Sequence, residues 1–400
     1  MFCCFSTAMK FFSQVNWFYA FFFFSGCATT PQHPVALTGD ILVDGPNMIA
    51  NGSPRDKVLW QYRTAAAAIR RAKFDEAKAL LDDALLSISG IVANDKNARQ
   101  SRGYFHEESK KTFHGEPYER VMAYYYRGIL YWMDGEPDNA RACFRSAAIQ
   151  DADAENREYA ADYVLLDYLD ALASAKLGGD GSDALQRAQT EAKNAKPQQL
   201  NPRANVLFFV EFGPGPTKYA AGQYGEELRF HCVNSPVTGA LVRVGKKVIR
   251  CEPNDDLNFQ ATTRGGRVMD HILANKAVFK TATDVAGTAA IIGGTVAVNE
   301  SDQTSQEVGL GLLAAGAISK IVSAITMPQA DTRSWDNLPR YLSIASLELP
   351  PGKHLVAVDF VDANNRVLPQ FSKSITIRVE SNSRDKVVFV SDQSSTPQTI

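Results

Sequence analysis

The chain has 400 residues, of which 45% are hydrophobic and 22% are charged, and this composition is typical of a globular protein with room for two or three domains. Basic and acidic side chains nearly balance, at 42 against 44, so the formal net charge is −2. Proteins that bind nucleic acid need a basic surface for the phosphates, and this balance argues against nucleic acid as a partner.

The N-terminus carries a short apolar run that is typical of an export signal. Residues 17–24 read WFYAFFFF and are followed by Ser25, Gly26 and Cys27. The run is too short for a membrane-spanning helix, which needs about 20 apolar residues. Small residues before a cysteine resemble the lipobox of bacterial lipoproteins. We therefore predict that residues 1–27 are a signal peptide and that Cys27 is lipidated; a plain signal peptide with an incidental cysteine is the alternative.

The residues after this cysteine predict where the protein is held. Ala28 stands where an aspartate retains many such lipoproteins in the inner membrane, so the resemblance implies a lipid anchor in the outer membrane and a body that faces the periplasm. An acyl chain binds the membrane through its methylenes, at about 0.8 kcal/mol each, and leaves the folded body in water. Residues 28–54 are rich in Pro, Gly and Asn and predict a tether.

Residues 55–196 show a helical pattern with features of the tetratricopeptide repeat. In residues 116–151, two helices flank a Gly-Glu-Pro turn, and small or aromatic residues occupy the repeat positions Gly128, Tyr131, Gly135, Ala140, Phe144 and Ala147. Weaker matches precede and follow, with Ala77 and Ala184 equivalent to Ala140, at spacings of 63 and 44 residues. We therefore predict an irregular array of TPR-like helices, and the concave surface of such an array binds partners.

Residues 203–392 predict an antiparallel, β-sandwich-like domain, because short alternating runs are separated by Gly, Pro and Asn turns. Gly- and Ala-rich arms in residues 265–327 predict an inserted helical hairpin. This hairpin either packs against the protein or inserts into a membrane and forms oligomers. Residues 393–400 predict a disordered tail. The predicted class is thus a multidomain α+β protein.

Two cysteines of the strand-rich part are candidates for a disulfide. Cys232 and Cys251 lie in neighbouring predicted strands, 19 positions apart. An oxidising compartment would allow them to pair, and two free thiols are the alternative because the strand register is not fixed by the sequence.

Polar and aromatic residues around the start of the second repeat are candidates for contact with a partner. In FHGEPYER, the side chains of Glu116, Tyr118 and Arg120 are candidates for a polar contact patch. The alternative is a helix start, with Pro117 at the first helical position and Glu119 facing the free amides, and the string favours this alternative. The following helix adds further candidates, some of which must be core: Tyr124, Tyr125, Tyr126 and Trp132.

A second candidate loop, ADTRSWDNLP, contains Arg333 and Trp335. Exposed Trp and Arg dominate the binding energy of many interfaces, so the loop predicts a recognition site. The alternative is a corner of the fold in which Trp335 covers the core and Arg333 pairs with Asp331 or Asp336.

The sequence offers no pattern for catalysis, metal binding or a cofactor. Its six histidines lack the H-E-x-x-H spacing, and no G-x-S-x-G motif is present. A hydrolase acting through Glu116 or Glu119 is the remaining enzymatic hypothesis. We therefore predict a protein without an enzymatic activity.

The lipobox, the helices with GEPYER and the later strings ADTRSW and LPPGKH together resemble an uncharacterised family of bacterial TPR-like outer-membrane lipoproteins. The resemblance implies a place in the cell envelope and no catalytic residues. The first functional hypothesis is a lipid-anchored scaffold that binds an envelope protein through its helices. The alternative is a structural subunit of an oligomeric pore or export assembly that uses the hairpin of residues 265–327.

Overall fold

The computed structural model describes residues 36–95, 112–152, 162–192, 196–263, 329–381 and 384–400. These residues belong to one compact unit. The predicted signal peptide with Cys27 lies outside the described residues, and so does the predicted hairpin of residues 265–327. The predictions made for them stay predictions.

Within the described residues, seven α-helices precede the first strand, and each of them packs against the next one in sequence. Their bounds are α1 Ile41–Asn51, α2 Lys57–Arg70, α3 Phe74–Asp95, α4 Pro117–Met133, α5 Pro137–Asp151, α6 Val164–Lys176 and α7 Ser182–Glu191.

Helix α1 corrects the prediction that residues 28–54 are a tether. The side chain of Asp40 accepts a hydrogen bond from the Leu42 amide and caps the helix, and Leu42 is buried. The Asp44 carboxylate binds the amide of Thr38 at 2.7 Å and so closes the chain onto the helix. The Pro, Gly and Asn content of this stretch suggested a loop, whereas local capping and the burial of one helix face stabilise a helix.

The FHGEPYER string forms the start of α4, the first helix of the unit formed by α4 and α5. This agrees with the alternative interpretation of the string. Glu116 is the N-cap, Pro117 takes the first helical position, and the Glu119 carboxylate accepts the Glu116 amide at 2.6 Å, which completes a capping box. Gly128 faces the ring of Phe144, and a methyl group there would come within 2.5 Å of that ring. Glycine is therefore required for the close approach of the two helices.

The described strands begin after α7, with one short helix, α8 Leu257–Thr262, among them. Their bounds are β1 Val206–Pro214, β2 Thr217–Ala221, β3 Glu227–His231, β4 Gly239–Val244, β5 Lys247–Cys251, β6 Asp255–Asp256, β7 Pro339–Leu347, β8 Gly352–Val361, β9 Lys373–Val379 and β10 Lys386–Ser391.

The strands form three sheets. Sheet A has the order β10-β1-β7-β6, sheet B the order β5-β4-β8-β9, and β2 pairs only with β3 among the described strands. Strand β1 runs parallel to β10, from Val206 opposite Lys386 to Glu211 opposite Ser391. The prediction of antiparallel pairing is therefore wrong at this pair, because β10 arrives from β9 in the other sheet and not through a hairpin from β1.

Sheet A lies between the helices and sheet B, and each of its faces belongs to a different core. Leu207 and Phe209 of β1 pack with the helices, whereas Val206 and Phe208 pack with sheet B. The mixed α+β class is confirmed. The helices share one core with sheet A, however, so residues 55–196 and 203–392 are not two separately packed domains.

The last residues of the chain are ordered, which corrects the prediction that residues 393–400 form a disordered tail. Gln398 exchanges two backbone hydrogen bonds of 2.7 Å with Phe389, and the Thr399 hydroxyl donates to the Val387 carbonyl at 2.6 Å. Strand β10 is the outer strand of sheet A, and its free backbone groups are satisfied by this returning segment.

Candidate functional site

Of the nine candidate contact residues, four are buried besides Tyr126, namely Tyr118, Tyr125, Trp132 and Trp335. They lie between the helices and sheet A. The ring of Tyr125 is 6.3 Å from that of Phe209 in β1, and Trp335 stacks on Tyr62 of α2 at 4.4 Å. The prediction that these four side chains contact a partner is therefore wrong, because their aromatic surface joins the layers of this same molecule. Tyr126 is buried in the same way.

The other four are partly exposed: Glu116, Arg120, Tyr124 and Arg333. The Arg120 guanidinium donates to Gln150 at 2.7 Å and thereby joins α4 to α5. Arg333 binds Asp331 at 2.6 Å and Asp56 at 2.7 Å. With Trp335 buried, the second candidate loop is a corner of the fold, as the alternative interpretation predicted.

A buried ion pair between Glu119 and Lys218 connects α4 to β2. The Lys218 ammonium lies 2.5 Å from one Glu119 oxygen, and the other oxygen accepts the Trp335 amide at 2.8 Å. Lys218 also donates to the Arg333 carbonyl at 2.9 Å. Burial raises the pKa of Glu119, and the charge of Lys218 opposes that rise. Glu119 therefore accepts hydrogen bonds from three parts of the chain, namely Lys218, the Trp335 amide and the N-cap of its own helix.

A second polar contact lies deeper, between α2, α4 and β1. The Arg70 guanidinium donates to one oxygen of Glu211 at 2.7 Å, and the Tyr126 hydroxyl donates to the other at 2.6 Å. Arg70 also donates to the Asn337 carbonyl at 2.7 Å. Burial raises the pKa of the Tyr126 hydroxyl, so it stays a proton donor.

A third contact joins α4 and α6 to the residues that precede β10. Both oxygens of Asp385 are used, one by the Trp132 indole N–H at 2.9 Å and the other by the Lys176 ammonium at 2.8 Å. We call these three contacts the polar clips, namely Glu119–Lys218, Arg70–Glu211–Tyr126 and Trp132–Asp385–Lys176. The charged groups of the polar clips are all used to join the helices to the strand-rich part of the chain.

Asp255 makes a related contact at the start of α6. One carboxylate oxygen accepts the Val164 amide at 3.0 Å, and the other accepts the Leu165 amide at 2.9 Å. A carboxylate suits the free amides at a helix N-terminus. Burial raises the pKa of Asp255 to about 7, although the two amides act to lower it. This aspartate thus changes its charge near neutral pH.

Sequence reasoning missed the strand-side members of the clips: Glu211, Lys218 and Asp385. One of them left a signal, because Glu211 interrupts the apolar run VLFFVEF, and a carboxylate in a buried strand needs an internal partner. Lys218 and Asp385 lie in polar stretches where charged residues are ordinary. Their partners could be found only from the fold.

The exposed surface offers two features that the clips do not use. On the outward face of sheet B lies an open depression of about 420 Å³, lined by Arg243, Val244, Gly245, Lys353, His354, Leu355 and Ala357. On the helices, Leu86 of α3 and Ile149 of α5 are 74% and 69% exposed. Large aliphatic side chains with this exposure are candidates for contact with a partner.

The predicted disulfide between Cys232 and Cys251 is not formed, because both residues are free thiols. Cys251 is buried at the end of β5 in sheet B, whereas Cys232 is exposed just after β3, which pairs with β2. Burial raises the pKa of Cys251 to about 12, so its thiol stays protonated. The two neighbouring strands of the sequence belong to different sheets, and this separates the cysteines.

Comparison with known proteins gives no relative for this chain: no family model matches it, and neither does a curated protein or a solved structure. Within the described ranges, histidine, cysteine and acidic side chains form no cluster of three that could hold a metal ion. None of the described helices is both long enough and apolar enough to cross a membrane.

Proposed function

We propose that the protein is a non-catalytic scaffold of the bacterial cell envelope, held in the outer membrane by a lipid on Cys27. Its TPR-like helices would bind an envelope protein partner on their outer row, which is formed by α3, α5 and α7. The β-sandwich-like arrangement of sheets A and B would serve as the support for that row.

The inner row of helices supports this choice of surface. The helix-side members of the polar clips come from α2, α4 and α6: Arg70, Glu119, Tyr126, Trp132 and Lys176. A TPR-like array ordinarily binds its partner on the concave side. In this chain the side formed by α2, α4 and α6 is occupied by sheet A, so a partner has access to the other row.

The observation that carries the proposal is the matched exposure of Leu86 and Ile149. Leu86 follows Ala77 by nine positions, and Ile149 follows Ala140 by nine positions. Ala77 and Ala140 are both buried and occupy the same repeat position. The two aliphatic side chains are thus equivalent in successive helix pairs, and a repeated apolar contact is how an array forms an extended binding surface.

The test is site-specific photocrosslinking in intact cells, with the crosslinker at position 86 or 149 of the full chain. A single envelope protein should crosslink from both positions, while position 367 in the β8–β9 connection should give none of it. Changing Leu86→Glu and Ile149→Glu should abolish the crosslinked complex and leave the stability within about 0.5 kcal/mol, since both side chains are exposed. A partner captured equally well by this double variant would contradict the proposed surface.

The location is tested separately by labelling with a radioactive fatty acid. The full chain should incorporate label and fractionate with the outer membrane, and Cys27→Ser should abolish both. Unlabelled wild-type protein would contradict the lipid anchor without bearing on the helical surface.

A further inference from the structure

The outward face of sheet B combines basic and aliphatic side chains. Strand β8 alternates, with Val356 and Val358 in the core and Leu355 and Ala357 on the other face. Arg243 of β4 is opposite Ala357 in β8 and opposite Val248 in β5. These side chains therefore share one face, and the open depression lies among them.

The charges on this face do not balance. Each of its three carboxylates is bound by an arginine, Asp359 by Arg243, Glu252 by Arg250 and Glu380 by Arg378. Two lysines of this face are left without a carboxylate partner among the described residues, Lys246 and Lys353. Lys246 is exposed at the β4–β5 turn, and Lys353 lines the depression together with Gly245 of that turn. Lys247 is opposite the core residue Val244 and donates to the Glu348 carbonyl at 2.9 Å, so it lies on the inner side of the sheet. The unpaired positive charge is thus concentrated at one end of the sheet.

Aliphatic side chains are exposed among these lysines. Leu355 is 66% exposed and Val248 is 57% exposed. Leu355 follows Lys353 by two positions on β8 and so shares its face, and Val248 is opposite Arg243 on that same face. Sheet B places β8 and β5 on either side of β4, so the two aliphatic groups are about 10 Å apart across the strands.

This combination of lysines and exposed aliphatic side chains favours one class of partner over another. A second copy of the face would bring lysines against lysines, which is unfavourable. An anionic phospholipid surface, in contrast, attracts the lysines and accepts aliphatic side chains between its headgroups. A sheet face is broad enough to lie along such a surface. In addition, Ala36 is only nine positions after Cys27, a stretch that spans about 30 Å at most, so a lipid on Cys27 would keep the folded unit beside the membrane.

We propose that the outward face of sheet B docks on an anionic phospholipid bilayer, with Lys246 and Lys353 bound to phosphates and Leu355 and Val248 seated between the headgroups. The membrane next to it is supplied by the lipid anchor of the proposed function. Docking would fix the orientation of the folded unit on that membrane. The helices would then be presented away from the lipid.

The experiment measures binding to vesicles by co-sedimentation at about 0.1 M salt, where surface charges still act over about 10 Å. The protein is the chain without residues 1–26 and with Cys27→Ser, so that neither the apolar leader nor an acyl chain contributes. Vesicles of pure phosphatidylcholine are compared with vesicles that contain one-third phosphatidylglycerol. The test variant carries Lys246→Gln and Lys353→Gln. The matched control carries Lys73→Gln and Lys196→Gln, which remove the same charge from exposed positions elsewhere.

We expect binding only to the vesicles with phosphatidylglycerol. The test variant should bind on the order of 30-fold more weakly, which is the combined effect of two lysines near an anionic surface. The control should stay within about threefold of the parent protein, and Leu355→Gln alone should weaken binding about tenfold. Circular dichroism of each variant checks that it is folded.

Three outcomes would overturn the docking surface: equal losses in the test variant and the control, equal binding to both kinds of vesicle, and no vesicle binding by the folded parent protein. A photocrosslink from position 355 to an acidic protein, found together with the last outcome, would assign the face to that protein. None of these results bears on fatty-acid labelling at Cys27 or on crosslinks from Leu86, so failure of this inference is distinguishable from failure of the proposed function.

Discussion

Strand β1 of sheet A packs against sheet B on one face and against the helices on the other. Its side chains contact these two layers with different chemistry. Toward sheet B it buries Val206, Phe208 and Val210, and the facing strands supply mostly apolar side chains to that core. Toward the helices it buries Phe209 and also Glu211, which is held by Arg70 and Tyr126. Apolar groups tolerate many arrangements of similar volume, whereas a buried carboxylate is satisfied only by donors in defined places. The comparison teaches that the polar clips fix how the helices sit on sheet A.

The largest effect is expected from removing one member of the deepest clip. Arg70→Met should lower the free energy of unfolding by about 3 to 5 kcal/mol, because Glu211 then stays buried without its cation. The measurement is urea denaturation followed by circular dichroism. Adding Glu211→Leu should recover most of the loss, since the charge is removed as well. If the double variant were as unstable as Arg70→Met, loss of packing and not an unpaired charge would be the cause.

The second effect depends on pH and concerns Asp255. Its pKa is about 7 in the folded protein, against 3.8 for an ordinary aspartate, mainly because of burial, and Asp162 and Asp167 add to the rise. At pH values between these two pKa values, the folded state keeps a proton on Asp255 that the unfolded state releases. The stabilisation of the folded state by this proton is therefore fully present below about pH 4 and is lost as the pH rises toward 7.

Asp255→Asn removes this titration. The stability of the wild type relative to this variant should fall by up to about 4 kcal/mol between about pH 4 and about pH 8, at 1.36 kcal/mol for each unit of pKa. Denaturation curves of both proteins at the two pH values measure it. A difference that stayed constant, or grew with pH, would mean that Asp255 is ionised in the folded protein throughout.

A smaller effect is expected on the apolar side of sheet A. Leu347→Ala should cost about 3 kcal/mol through lost burial and a cavity, and this cost should not change with pH. Leu355→Ala in sheet B is the matched control, because Leu355 is exposed and its loss should stay within about 0.5 kcal/mol. A pH-dependent cost at position 347 would contradict the prediction that Leu347 stabilises the fold through apolar packing alone.

The smallest effect is expected at the cysteines. Cys232→Ser should change stability by less than about 0.5 kcal/mol, and a reductant should not shift the melting temperature of the wild type. Iodoacetamide should label Cys232 in the native protein and reach Cys251 only after unfolding, as mass spectrometry would detect. Destabilisation by reductant would show that the two thiols pair after all.

Local signals in the sequence predict much of this fold. The capping box of Glu116 and Glu119 and the first-turn Pro117 define the start of α4, because the capping contacts join residues only three positions apart. Alternation between apolar and polar residues likewise predicts β4 and β8, since each strand of sheet B has one face in the core and one exposed.

The candidate site is harder to predict because its contacts are long-range. Glu119 and Lys218 are 99 residues apart in sequence, and nothing near either residue identifies the other. The aromatic residues of α4 were misassigned to a surface, although a helix with apolar residues on nearly all sides is typical of a buried one. Tyr125 and Trp132 are on the sides that meet sheet A, and this follows only from how the layers assemble.

The place of β1 in sheet A also determines the order in which the chain can be completed. Its two partners, β7 and β10, begin at Pro339 and Lys386, long after β1 in the chain. The helices that cover one face of β1 precede it, whereas its two edges and its face toward sheet B stay open until the later strands are made. An apolar segment with open edges is prone to aggregate, so the interval between the synthesis of β1 and that of β10 is when this segment is most exposed to aggregation.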